Sequence, residues 1–480
     1  MNAINLAKTS KHTKTLGQVY TPHSIVCDML DLVGYQGADI LQKHIIDNSC
    51  GNGAFLCEIV ARYTKAHGEQ YGTYQGLHTH LQTYIHGIEI DWNAYCECLQ
   101  NLNHTMRFYG VSDVAWDIVC GDTLLQKQFD NKMDFVVGNP PYVRVHHLQD
   151  IERVKKFSFA QSGMVDLYLV FYEIGFAMLG AKGKLCYITP NSFYNSLAGK
   201  HFRHFIESTG HLTKLIDLGH YQPFDFVTYT TIGVFDFAQR SHKFAFAKYQ
   251  SNGNIAWIDT LHMQDIVCNG KFFLGQGEQS QAKQIQSYVP KQSGLFVVKN
   301  AYATLADSVF IKESFEFGAK SKYIIDVCKA STQEWKQCIY PYEDNGNLVG
   351  FAELDKPLQQ YLLEKKSQLQ NRSLDAKTGW YAFGRSQAIK DTQKNKIAIS
   401  TILKDVASIK LTEIVAGQGV YSGLYILTDL TFEHIASILK TEDFVSYVVA
   451  LGKYKNGGYY SFSSSDLYKY LIYQAENKNE

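Results

Sequence analysis

Between about residues 17 and 240, short apolar runs alternate with longer helix-like stretches, and this alternation restricts the fold more than any other feature. A strand that returns parallel to its neighbour needs a crossover of a dozen or more residues, so the pattern predicts a parallel sheet with helices on both faces. The strand candidates are HIIDNSC, YIHGIEID, AWDIVCGD, MDFVVGNP, KLCYITP, LTKLIDLG and TTIGVFDF. They predict an α/β first domain over residues 1–240, built on a doubly wound, seven-stranded, mostly parallel sheet. Only Tyr221 to Val227 separate the last two strands, too few for a helical crossover, so that pair is expected to run antiparallel at one edge. Residues 241–300 read as a connecting region of weak periodicity. Residues 301–480 have a different texture, with glycine loops such as GQGVYSGLY and KNGGYYSFSSS and a helix-like LDKPLQQYLLEKKSQLQ, and predict a separate mixed α+β domain.

Composition narrows the function classes. With 480 residues, 45% of them hydrophobic, the chain can bury two or three cores. Lys+Arg and Asp+Glu both total 46, so any nucleic-acid surface must be a local patch. The N-terminus, MNAINLAKTSKHTK, is polar and basic, and no later stretch approaches the roughly 18 apolar residues of a membrane helix. A cytoplasmic protein with no membrane partner is expected. The 10 cysteines are scattered, mostly in apolar segments such as those of Cys50, Cys57 and Cys186, and read as reduced thiols. Cys96 with Cys98 is the nearest approach to a metal spacing, but no second pair accompanies it, so no metal is expected.

Four segments carry chemistry. DNSCGNGAFL, residues 47–56, follows a strand, and Gly51 and Gly53 allow a tight turn and close approach of a ligand to the backbone before a helix. Such turns are common, and alone this one is compatible with a plain strand-to-helix connection. In GIEID, Glu89 ends the next strand, where a carboxylate can accept both hydroxyls of a ribose; dehydrogenases share this feature. Asp122 in CGDTLL ends a third strand and could accept from an adenine amino group. NPPY, Asn139 to Tyr142, decides among these readings. Two prolines without N–H donors hold the segment stiff, and the Asn139 side chain with the Pro140 carbonyl makes a two-acceptor site for a planar NH2 group.

In this order of motifs, from GQVYTPHSIV through DNSCGNGAFL, GIEID, GD and NPPY to the DLYLVFYE and LCYITPNSF segments, the chain resembles the adenine-N6 DNA methyltransferases of type II restriction-modification systems. The resemblance implies the S-adenosylmethionine-dependent methyltransferase fold, S-adenosyl-L-methionine as cofactor and double-stranded DNA as partner. It places Thr21, Asp47, Asn48, Ser49, Cys50, Gly51, Gly53, Glu89, Ile90, Asp122 and Pro140 at the cofactor, and Asn139, Pro140, Pro141 and Tyr142 at the reacting base. Asn48 departs from the family, which usually has proline there. The C-terminal segments YLLEKKSQLQNRS, WYAFGRSQAI, SGLYIL and GGYYSF look like the family's target-recognition region, which makes Arg385, Ser386, Gln387, Lys394 and Lys396 the candidate DNA contacts.

An adenine inside a duplex cannot present N6 in line with a methylsulfonium, so the base must be flipped out. Tyr142 is expected to stack on it, opposed by Phe224 of QPFDFVTYTT, with Phe226 as the close alternative and plain core as the competing reading of either. His146 and His147 read as loop residues near DNA. Three other readings compete: a methyltransferase acting on protein glutamine or RNA, a non-catalytic DNA-specificity protein, and a fused nuclease-methylase. The C-terminal resemblance argues against the first and the intact Asn139 against the second. The cofactor segment lies so near the start that no preceding nuclease is expected, which leaves a cognate restriction endonuclease as a separate protein with no direct contact implied.

Overall fold

The computed structural model describes residues 20–144, 151–225, 227–274, 278–291, 294–317, 321–372, 374 and 379–477. Two compact units divide the chain, Met1–Phe272 and Phe273–Glu480.

In the first unit, seven strands fall where the apolar runs predict: β1 (Ile45–Asp47), β2 (Ile85–Glu89), β3 (Asp117–Cys120), β4 (Met133–Gly138), β5 (Leu179–Pro190), β6 (Leu212–Asp217) and β7 (Thr230–Asp236). Every residue of β1, β2 and β7 is buried, as expected where helices cover both faces of a sheet. The sheet nevertheless has nine strands, in the order β3-β2-β1-β4-β5-β7-β6-β8-β9, with β8 spanning Lys243–Tyr249 and β9 Ile255–His262. β1 to β5 pair in parallel. β7 is antiparallel to both β5 and β6, and β6 continues in parallel to β8. The short-loop argument for an antiparallel β6–β7 pair thus holds, but the pair lies inside the sheet and not at its edge. The expected connecting region at 241–300 is likewise corrected: its first part completes the sheet, and the division between units falls at 272/273.

Helices pack on this sheet through their apolar residues. The first, α1 (His23–Val33), buries Ile25, Val26, Met29, Leu30, Leu32 and Val33, and stops at Gly34, whose φ of 81° closes the left-handed cap. α2 (Ala54–Tyr71) follows β1, α3 (Leu77–Tyr84) leads into β2, and α4 (Trp92–Arg107) follows it, N-capped by the Asp91 carboxylate, which accepts the Ala94 N–H at 2.9 Å. α5 (Leu167–Met178) is apolar on nearly all sides and correspondingly buried. α6 (Lys200–Thr209) precedes β6.

The second unit is mixed α+β. A four-stranded sheet runs β10 (Val297–Asn300), β17 (Leu424–Leu427), β14 (Lys396–Ile399), β15 (Leu411–Ile414). Another runs β11 (Ile311–Lys312), β13 (Glu334–Ile339), β12 (Ile324–Lys329), β16 (Gly419–Tyr421). Helices include Lys356–Glu364, Glu442–Ala450 and Ser464–Asn477. Among the described residues no helix is long and apolar enough to cross a membrane.

Candidate active site

The parallel strands deliver their C-terminal ends to one edge of the sheet. β1 sits between β2 and β4, with Asp47 opposite Gly87 on one side and Val137 on the other. Here the strand order reverses, which is where open α/β sheets bind ligands.

The glycine loop fills that position. Gly51 and Gly53 have φ of 55° and 88°, and a Cβ on Gly53 would lie 2.8 Å from the Cys98 sulfur, so α2 enters this close to α4 only because the residue is glycine. Cys50 is buried beneath the loop, its N–H bound to the Ile88 carbonyl at 3.0 Å. Glu89 is buried at the end of β2, and its two oxygens accept the backbone N–H groups of Gly51 and Asp91, each at 2.8 Å. Burial raises its carboxyl pKa, partly opposed by those amides. The predicted acid and the predicted loop are therefore one hydrogen-bonded piece, and Ile90 beside it is exposed.

Asp47 is also buried, and a Cβ on Gly138 would stand 2.6 Å from its Oδ1, so only glycine lets β4 pass the carboxylate. Burial pushes the Asp47 carboxyl up to about 7, although it accepts the Ser49 N–H at 3.0 Å. Asn48 points the other way. Its side-chain oxygen accepts the Tyr187 hydroxyl at 2.9 Å inside the core, so its side chain ties the loop to β5 and leaves only backbone to face a cofactor.

NPPY sits against this loop. Ser49 Oγ donates to the Asn139 carbonyl at 3.3 Å, and the Asn139 amide nitrogen donates to Thr21 Oγ1 at 3.1 Å. Thr21, Ser49 and Asn139, far apart in sequence, thus meet at one place. Tyr20 was not anticipated: half exposed, it stands over the loop, near Gly51, with the carboxylates of Glu97, Glu89 and Asp91 raising its pKa in addition to burial.

Two expectations meet differently than foreseen. Asp122 caps its own short turn by accepting the Leu124 N–H, and its other oxygen pairs with Arg153 at 3.0 Å. Phe224 does come to Tyr142, but edge-to-face, with centroids 6.3 Å apart and planes at 80°, and it is buried in the core cluster. Tyr142 and Phe224 therefore do not stack in parallel; Tyr142 is held by its hydroxyl on the Ile188 carbonyl at 3.1 Å. Phe226, His146 and His147 lie outside the described residues.

In the second unit Ser386 and Gln387 are exposed and Arg385 is half-buried, while Lys394 is exposed and paired with Asp391 at 2.9 Å. Lys396 corrects the expectation of a DNA contact. It is buried at the start of β14, where its ammonium donates to the carbonyls of Asp391, Thr392 and Lys394, and burial lowers its pKa to about 8.

Residues 65–224 match the Eco57I restriction-modification methylase family. Part of the chain is thus similar to type II restriction-modification methyltransferases. It is 33% identical to the type II methyltransferase M.BstVI of Geobacillus stearothermophilus, over 44% of this chain and 39% of that protein. It is 23% identical to the type II restriction enzyme and methyltransferase RM.Eco57I of Escherichia coli, over 78% of this chain and 47% of that protein. The chain thus spans less than half the length of either relative. The solved structure of the type IIL enzyme MmeI in complex with DNA covers 93% of this chain at a TM-score of 0.62 and 13% identity, the match taking in 64% of that chain. A nuclease-deletion mutant of the type ISP enzyme LlaGI with a DNA substrate mimic covers 95% at 0.59 and 13%, over 54% of its own length. At such identities the likeness is one of fold.

Proposed function

We propose that the chain is a site-specific DNA adenine-N6 methyltransferase that uses S-adenosyl-L-methionine and protects host DNA against a cognate restriction endonuclease. The observation that carries this reading is the Asn139 amide, set at the carboxyl edge of the sheet with its nitrogen on Thr21 and its backbone on the cofactor loop. Residues present fit the cofactor: the positive φ of Gly51 and Gly53 turns the loop backbone tightly at the end of β1, and Glu89 lies at the end of β2 to receive ribose hydroxyls. S-adenosylmethionine supplies an electrophilic methyl group on a sulfonium.

In this reading the Asn139 oxygen and the Pro140 carbonyl accept the two N6 hydrogens of a flipped adenine. That draws the N6 lone pair away from conjugation with the ring, and positioning with aligned acceptor dipoles lowers the barrier. Tyr142 supplies the ring face on which the base stacks, with Phe224 buttressing its edge. Asp122 would take the cofactor's adenine amino group on release of Arg153, and Ile90 would pack on its ring. Arg385, Ser386, Gln387 and Lys394 of the second unit are the proposed DNA contacts.

The test is methyl transfer by the full chain from tritium-labelled S-adenosylmethionine to duplex DNA, followed by digestion to nucleosides. Label in N6-methyldeoxyadenosine is expected. Label in N4-methyldeoxycytidine, or in protein alone, would overturn the assignment.

A further inference from the structure

We propose that His23, Cys27 and Glu58 form a site for one divalent cation of the zinc class, which staples the first turn of α1 to α2. The inference is independent of the methyl-transfer reading. His23 and Cys27 lie four residues apart on α1, so their side chains share one face, and α2 presents Glu58 to that face. One potential ligand atom from each residue lies within 4.8 Å of the others.

Two of the separations are close to those of a tetrahedral ion. With metal distances of about 2.0 to 2.1 Å to nitrogen and oxygen and about 2.3 Å to sulfur, neighbouring donors fall about 3.3 to 3.6 Å apart. Here His23 Nε2 is 3.1 Å from Glu58 Oε2 and 3.7 Å from Cys27 Sγ, and the third pair, Cys27 with Glu58, lies within 4.8 Å.

Support around the ligands is already built. Arg62 Nε donates to Glu58 Oε1 at 2.9 Å, which orients the carboxylate while its other oxygen faces His23. The same guanidinium donates to the Cys27 carbonyl at 3.2 Å and to Asp31 Oδ1 at 2.5 Å, fixing α1 against α2. This is the arrangement in which outer partners orient metal ligands, and the mixed nitrogen, sulfur and oxygen set favours zinc or cobalt over magnesium or calcium. Binding replaces the thiol proton with the metal and releases that proton to solvent, and water takes the fourth position on the exposed His23 side. Thiolate and carboxylate together neutralise the ion's two charges. His23 stands two residues after Thr21, so occupancy would restrain the segment that holds the Asn139 amide.

Cobalt(II) titration of the full chain tests the site. One equivalent should produce a thiolate-to-cobalt charge-transfer band, displaced by zinc, absent in Cys27→Ala and at least about tenfold weaker in affinity in Glu58→Gln. The exposed His23→Ala, which perturbs folding least, should also lose the band, and zinc should raise the melting temperature of the wild type but not of that variant. Absence of a band in the wild type, or an undiminished band in His23→Ala and Cys27→Ala, would overturn the proposal and assign any binding to another of the 10 cysteines.

Discussion

A carboxylate taken out of water lowers its cost by keeping its proton, and Asp47, buried between the glycine loop and Gly138, is held at about 7 against an ordinary value of 3.8. Because the folded value exceeds the unfolded one, the contribution to stability is full below about pH 4 and is lost as pH rises through about 7. At about 1.4 kcal/mol per pH unit the loss totals about 4 kcal/mol. Urea midpoints of the wild type should therefore fall between pH 5 and 8 relative to those of Asp47→Asn, and parallel curves would show that Asp47 does not keep its proton. Glu89 sits differently, with both oxygens on backbone N–H groups of the loop it would share with a ribose. Replacing it with alanine should weaken S-adenosylmethionine binding by about 1.5 to 3 kcal/mol by calorimetry, the range for hydrogen bonds to a charged group. An unchanged dissociation constant would remove Glu89 from the cofactor site.

At the scale of elements, the loop between β1 and α2 is positioned by side chains that converge from several segments. Tyr187 on β5 donates to Asn48 inside the core, and Tyr187→Phe leaves that amide oxygen without its partner. The expected cost is about 1 to 3 kcal/mol of unfolding free energy in urea, with cofactor affinity falling alongside. A stability equal to wild type would show the contact to be incidental. This contact also marks where sequence reasoning stops. The glycine loop, Glu89 and NPPY were legible because each is a contiguous motif at the end of a strand buried on both faces, whose apolar run announces it. The Tyr187–Asn48 and Arg153–Asp122 contacts join residues with no local relation and were not. Lys396 was misplaced because a lysine reads as surface unless the fold supplies carbonyls for its ammonium, as it does here. Likewise β8 and β9 follow β7 through short turns with no helix between them, outside the alternation of strand and helix that marks most of the sheet, and β9 is exposed along its middle at the edge, so a reading of that alternation ends the sheet two strands early.

Across the whole molecule, each candidate cofactor and acceptor residue lies in the first unit, whose sheet is complete only with β8 and β9. A fragment ending at Phe272 should keep native circular dichroism and bind S-adenosylmethionine without methylating a specific site. One ending at Ala245 cuts β8 and strips β6 of its parallel partner, and it should fail to fold. Equal behaviour of the two fragments would contradict the structural role given to the last two strands. In the proposed reaction Asn139 directs methyl transfer to adenine N6 at one DNA sequence. Base-resolved sequencing of modified adenines in the DNA of a host expressing the full chain measures both the base and the site. N6-methyladenine is expected at a single recurrent sequence with the wild type and nowhere with Asn139→Ala; unmodified DNA in the first case, or unchanged modification in the second, would overturn the proposed reaction.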